Sequence, residues 1–298
     1  MRIPGKVLKC VAFIGEATYQ DNDGKISGDL HATGFFVHMP SAHFPALTFV
    51  YFVTTKHVAT DLKGRNAYIL ANSKKGGTTT VANYYPHWWL HPTDETADLA
   101  VLQVGGQSDL DTWGVGLKDF VTVEDIRAET VAVGDEVFTV GLFTRAPGKS
   151  RNMPIVRTGH VAMFPEEQIQ TELGFADAYL VEARSIGGIS GSPVFIRKTI
   201  TLPIKLSNGT RTSASAVGDL KLLGLMQGHW DIKESEKNAA EMTHDRRRGV
   251  NLDIGIVVPA GKIMETLNQP DLVRSRELSE VELRQKLQQH TKSDLRWL

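Results

Sequence analysis

The sequence predicts an all-β protein with a short helical tail. Three observations carry that expectation. Short apolar runs rich in Val, Phe, Tyr and Ile follow one another from residue 1 to about residue 258, and Gly, Pro, Asn or Asp bounds each of them. Helical periodicity is nearly absent over the same span, so a sandwich or barrel is expected rather than alternating strands and helices. Beyond residue 258 the pattern changes to helical.

The runs are, in order, VLKCVAFIG, ATGFFVHM, LTFVYFVTTKHVA, NAYILA, DLAVLQV, DEVFTVGLF, AYLVEA, SPVFI, KLLGLMQG and IGIVV. All but LTFVYFVTTKHVA have the lengths of ordinary strands. The segment from Arg197 to Val217 is longer and more polar than a tight connection and is expected to be a surface hairpin. RAPGKSRNM, around residues 145–153, is a candidate boundary that could join two β halves, 1–145 and 146–258. In the tail, 259–298, Pro259 to Leu267 reads as a short helix ended near Pro270. A second helix is expected over LSEVELRQKLQQH, opened by a capping box of Ser279 and Glu282.

Bulk properties narrow the function classes. The chain has 298 residues, 41% hydrophobic and 22% charged, enough to bury a substantial core. A formal net charge of −1 supplies no general attraction to nucleic acid or to a membrane surface. The single cysteine, Cys10, allows no internal disulfide, and the opening VAFIG run is too short for a signal peptide. A cytoplasmic, soluble protein is expected, with no cofactor and no nucleic-acid or membrane partner.

The chemistry resides in three segments. A serine that attacks an acyl carbon needs a base within hydrogen-bond reach and a carboxylate to orient that base. Thr54-Thr-Lys-His57 ends one apolar run, and Asp98-Leu-Ala-Val-Leu102 opens another. The run SIGGISGSPVF, residues 185–195, holds Gly188-Ile-Ser190-Gly-Ser-Pro193. These give His57, Asp98 and Ser190 in chain order. An α/β-hydrolase esterase is set aside, because Ser192 occupies the last glycine of G-x-S-x-G and the order of the three residues differs.

These motifs resemble those of trypsin-like serine peptidases of the chymotrypsin fold, in particular the disulfide-free bacterial branch that includes the HtrA/Deg proteins. Thr33-Gly-Phe-Phe-Val37, Val133-Gly-Asp-Glu-Val-Phe-Thr-Val-Gly141, Thr158-Gly-His-Val161 and Gly249 to Pro259 extend the resemblance over roughly residues 8–267. The resemblance implies two packed six-stranded antiparallel β-barrels, with His57 and Asp98 on the first and Ser190 on the second. It implies a serine endopeptidase acting on a protein or peptide substrate, with the backbone N–H groups of Gly188 and Ser190 as the oxyanion hole. Arg184, six residues before the nucleophile, and His229 on a neighbouring strand are implied pocket residues, which would favour an acidic side chain before the scissile bond.

Two departures matter. Ile189 stands where the family carries Asp or Asn, so no zymogen step pairing a new N-terminus with that carboxylate is expected. Roughly 30 residues follow the family-like part, too few for a PDZ domain. The alternative reading is an inactive or effector-activated module, used for binding or regulation together with a partner protein.

Other conspicuous residues read as structural. His87 and His91 lie four apart but between Pro86 and Pro92, with no third ligand at matching spacing, so no metal is expected. Asp94 competes with Asp98 but lies within the loop PTDETAD. The run Asp245-Arg-Arg-Arg248 reads as a solvated loop, Cys10 as a core thiol, and Trp88-Trp89 as packing.

Overall fold

The structure, a computed structural model, describes residues 3–20, 26–45, 47–84, 86–105, 109–144, 146–183, 189–205, 211–232 and 250–294. The first half is an eight-stranded sheet. Its hydrogen-bonded path runs β5 (Thr78–Tyr84), β4 (Asn66–Asn72), β1 (Val11–Gln20), β2 (Ile26–Pro40), β3 (Thr48–Thr54), β7 (Ala100–Val104), β6 (Trp89–Leu90), and β8 (Val115–Gly116) pairs with β2. This path is open among the described residues, where a six-stranded barrel is expected from sequence. β6 is only two residues long, and Pro86 and Pro92 on either side offer no amide hydrogen to extend it.

The second half does close. β10 (Pro154–Met163), β13 (Tyr179–Glu182), β16 (Val250–Pro259), β15 (Arg211–Ile232), β14 (Pro193–Lys205) and β9 (Glu136–Leu142) form a six-stranded barrel in that order. All of its pairings are antiparallel. Because β9 is one of its staves, the barrel begins ahead of residue 145. β14 and β15 remain paired out to Lys205 and Arg211, which is the expected hairpin over residues 197–217. A small hairpin of β11 (Ile169–Thr171) and β12 (Gly174–Ala176) lies off the barrel.

The helices are short until the end: α1 (Lys56–Asp61), α2 (Val123–Arg127), α3 (Ala260–Leu267) and α4 (Pro270–Asp294). α3 is the predicted tail helix. α4 starts earlier than predicted, since Pro270 is preorganised for a first helical turn. Ser279 is therefore in the helix interior, not a cap, and its hydroxyl donates to the Ser275 carbonyl at 3.0 Å. Among the described residues no helix is long and apolar enough to cross a membrane.

Alternation along the strands divides the interior three ways. Ile14, Phe36, Phe52, Leu62 and Ile69 pack within the sheet, and Val137, Val161, Val181, Val194 and Leu223 fill the barrel. A third cluster joins the halves, with Cys10 just before β1 and Phe35, Tyr51 and Val101 of the sheet against Phe138, Phe195 and Leu225 from the barrel. Ile263, Leu267 and Leu272 of the tail helices belong to it too. Cys10 is wholly buried there, and burial pushes its thiol far above the ordinary range, so it is an inert core residue.

Candidate active site

Sheet register brings the first two candidate residues together. β3 pairs antiparallel with β7, with Thr54 opposite Ala100. The chain leaves β3 into α1 three residues before His57, and Asp98 precedes the start of β7 by two. Both therefore emerge at the same end of the strand pair. His57 Nδ1 lies 2.7 Å from Asp98 Oδ2, and the His57 backbone N–H donates to Oδ1 at 2.9 Å. The Asp98 side chain is 2% exposed and that of His57 47%, so a buried carboxylate holds a ring whose other edge reaches solvent.

A carboxylate on Nδ1 selects the tautomer that carries its proton there and leaves Nε2 as an acceptor. The hydrogen bond to Asp98 raises the His57 pKa, burial opposes the rise, and the charges of Asp98 and Asp61 add to it. Nε2 itself lies 3.4 Å from the Thr55 hydroxyl.

Ser190 is in a turn that enters β14. The turn is held on both sides: Thr33 N–H donates to the Ser190 carbonyl at 3.1 Å, and Gly191 N–H donates to the Met226 carbonyl at 2.9 Å. Gly191 has φ +84°, and a Cβ there would lie 2.0 Å from the Thr33 carbonyl oxygen and 2.6 Å from the Thr54 hydroxyl. Thr54 is three residues from His57, and its hydroxyl donates to the same Thr33 carbonyl at 3.0 Å. The serine turn thus packs directly on the strand end that leads to His57. Among the described residues no hydrogen bond joins Ser190 Oγ to His57.

The neighbouring residues separate the serines of this run. Ser192 is fully buried, whereas Ser190 keeps some exposure. Ile189 is 2% exposed and packs into the barrel interior, which an ionised Asp would not tolerate. Gly188, Arg184 and Ser185 lie outside the described residues. His229, partly exposed on β15, stands opposite Gly255 of β16.

The remaining candidates take structural places. His91 is buried, and its Nε2 lies 2.8 Å from Glu265 Oε2 on α3. His87 stacks edge-on against Trp89 with ring centroids 4.4 Å apart. The described residues hold no group of three metal-ligating side chains. Asp94 pairs with Lys262 and not with His57. Asp245 to Arg248 lie outside the described residues. Thr33 and Thr54 belong to motifs already singled out in the sequence, though with no role of their own there, whereas Lys262 carries no sequence signal.

The trypsin-like peptidase domain family matches residues 32–199, over half of the chain and spanning all three segments. The chain belongs to the trypsin-like peptidase family. A search of curated proteins returns no match. Among solved structures, this trypsin-like chain is similar to the MamO protease domain of Magnetospirillum magneticum in its apo form. The identity is 16% and the TM-score 0.43, over 72% of this chain and 94% of that one. It is also similar to the Rv3671c protease of M. tuberculosis in an inactive form, at 17% identity and a TM-score of 0.44, covering 88% of each chain.

Proposed function

We propose that this protein is a serine endopeptidase, with Ser190 as nucleophile, His57 as general base and Asp98 as the carboxylate that orients it. The observation carrying the proposal is the 2.7 Å contact of His57 Nδ1 with a buried Asp98, which leaves Nε2 to serve as the base.

Family membership implies a protein or peptide substrate. Ser190 Oγ attacks the scissile carbonyl carbon while His57 Nε2 takes the hydroxyl proton. The resulting imidazolium is stabilised by Asp98, and the oxyanion is received by the backbone N–H groups of Ser190 and Gly188. His57 then gives the proton to the departing amine as the C–N bond breaks. Water cleaves the acyl-enzyme by the same proton relay in reverse. Arg184 and His229 would draw an acidic side chain into the primary pocket. A peptide library in which Glu and Asp gain nothing before the scissile bond would remove that preference.

The test is labelling by a fluorophosphonate, which phosphonylates an activated serine with loss of fluoride. Wild type takes the label and Ser190→Ala does not. A folded wild type that stays unlabelled defeats the proposal. A second reading, an enzyme that an effector must switch on, draws support from the Thr55 hydroxyl 3.4 Å from Nε2, on the atom that would accept the serine proton. Under it, wild type labels only once peptide or partner protein is added.

A further inference from the structure

The loop that presents Asp98 does not stand alone. Asp94 organises it, accepting from the N–H groups of Thr96 at 2.9 Å and Ala97 at 3.2 Å, and from the Thr96 hydroxyl at 2.6 Å, all through Oδ1. Ala97 is the residue before Asp98. The other oxygen of Asp94 meets Lys262 Nζ of α3 at 2.8 Å, and Lys262 also reaches Asp177, just before β13, at 3.0 Å. The start of the loop is fixed to the same helix, because His91 Nδ1 accepts from Asp94 N–H at 3.0 Å while its Nε2 meets Glu265.

Lys262 and Asp94 are both mostly buried, at 14% and 15% exposure, in an ion pair that a surface lysine would not form as firmly. Burial works against the charge on Asp94, but hydrogen bonds from Lys262 and Thr96 outweigh it and bring its pKa to about 2. Burial likewise opposes the Lys262 charge, and its bonds to Asp94 and Asp177 reverse that and raise the pKa. Both therefore stay charged across the working range of a peptidase.

We infer that Lys262 is a positioning residue for this chemistry: from the helix after the last strand, it anchors the Asp94 turn and thereby keeps Asp98 on His57. The inference rests on the peptidase reading above. A displaced carboxylate weakens the bond that raises the His57 pKa and orients the ring, so both titration and turnover should respond. The groups facing His57 are Asp98 and Asp61; those facing Lys262 are Asp94 and Asp177.

Lys262→Met keeps the aliphatic stem and removes the charge. It is expected to lower kcat about 10- to 100-fold with little change in KM, as misplacement of a catalytic group does. The His57 titration, followed by NMR in the Ser190→Ala background, should move down toward the ordinary value of about 6.5. Lys262→Arg should restore both. Asp94→Asn, whose amide oxygen still accepts from Thr96 and Ala97, should act like Lys262→Met and decides the matter if that variant does not fold. Folded Lys262→Met or Asp94→Asn with unchanged kcat and His57 titration overturns the inference, and so does a fall in kcat without a shift in titration. Because the NMR titration needs no turnover, it tests the anchor even where fluorophosphonate labelling fails and the peptidase reading falls.

Discussion

His57 sets the pH dependence of the proposed reaction, and the sign follows from its role. As general base it must be neutral at Nε2, and the Asp98 hydrogen bond holds its pKa above the usual 6.5. Activity is therefore absent in acid and rises as pH climbs through that raised value. The contribution to stability runs the opposite way: it is full below the unfolded value and is lost as pH rises through the folded one. Asp98→Asn keeps the shape of the contact but presents the wrong tautomer to the serine. It should reduce kcat by about 10⁴-fold, and the acid limb of kcat/KM should move with it. Steady-state rates between acid and neutral pH measure both effects. An Asp98→Asn enzyme with wild-type turnover would leave Asp98 without its assigned part.

At the scale of elements, the turn into β14 packs on the strand end that leads to His57, and Gly191 is where it has no slack. Its φ of +84° costs a residue with a side chain about 1–2 kcal/mol, and a Cβ 2.0 Å from the Thr33 carbonyl adds a backbone clash. Gly191→Ala is expected to lower stability to urea by more than the backbone term alone and to abolish fluorophosphonate labelling, since any relief displaces Ser190. Such turns were legible beforehand, because glycines at fixed offsets and T-x-x-H announce local geometry. The strand runs were legible for the same reason, alternation being a local property. What the sequence could not reveal depends on distant partners. Ser279 and Glu282 imitate a cap, while Pro270 nine residues earlier opens α4. The open path of the first sheet among the described residues depends on where β6 stops. Lys262 looks like any helical lysine until Asp94, remote along the chain, is seen beside it.

At the scale of the whole molecule, sheet, barrel and tail share one joint. Phe35 and Val101 from the sheet, Phe138 and Phe195 from the barrel, and Ile263, Leu267 and Leu272 from the tail helices form a single buried cluster. α4 is fastened to it by Arg276, which donates to the Tyr51 hydroxyl at 2.9 Å and to the Leu267 carbonyl at 2.8 Å. The candidate site straddles this joint, with His57 and Asp98 on one side and Ser190 on the other. Any slip between the halves would separate Ser190 from His57, the proposed nucleophile and base, so the tail helices belong to the mechanical support of the candidate site. Leu267 is fully buried in the joint, and Leu267→Ala should cost about 2–5 kcal/mol through lost burial and the cavity left behind. Because the cluster is shared, that loss should shift one common unfolding transition rather than melt the tail alone. Fluorescence from the five tryptophans, Trp88, Trp89, Trp113, Trp230 and Trp297, should then change at the same urea concentration as far-ultraviolet circular dichroism, in wild type and variant alike. Two separated transitions, with only one moved by Leu267→Ala, would show that the halves are stabilised independently and that the joint does not hold the site together.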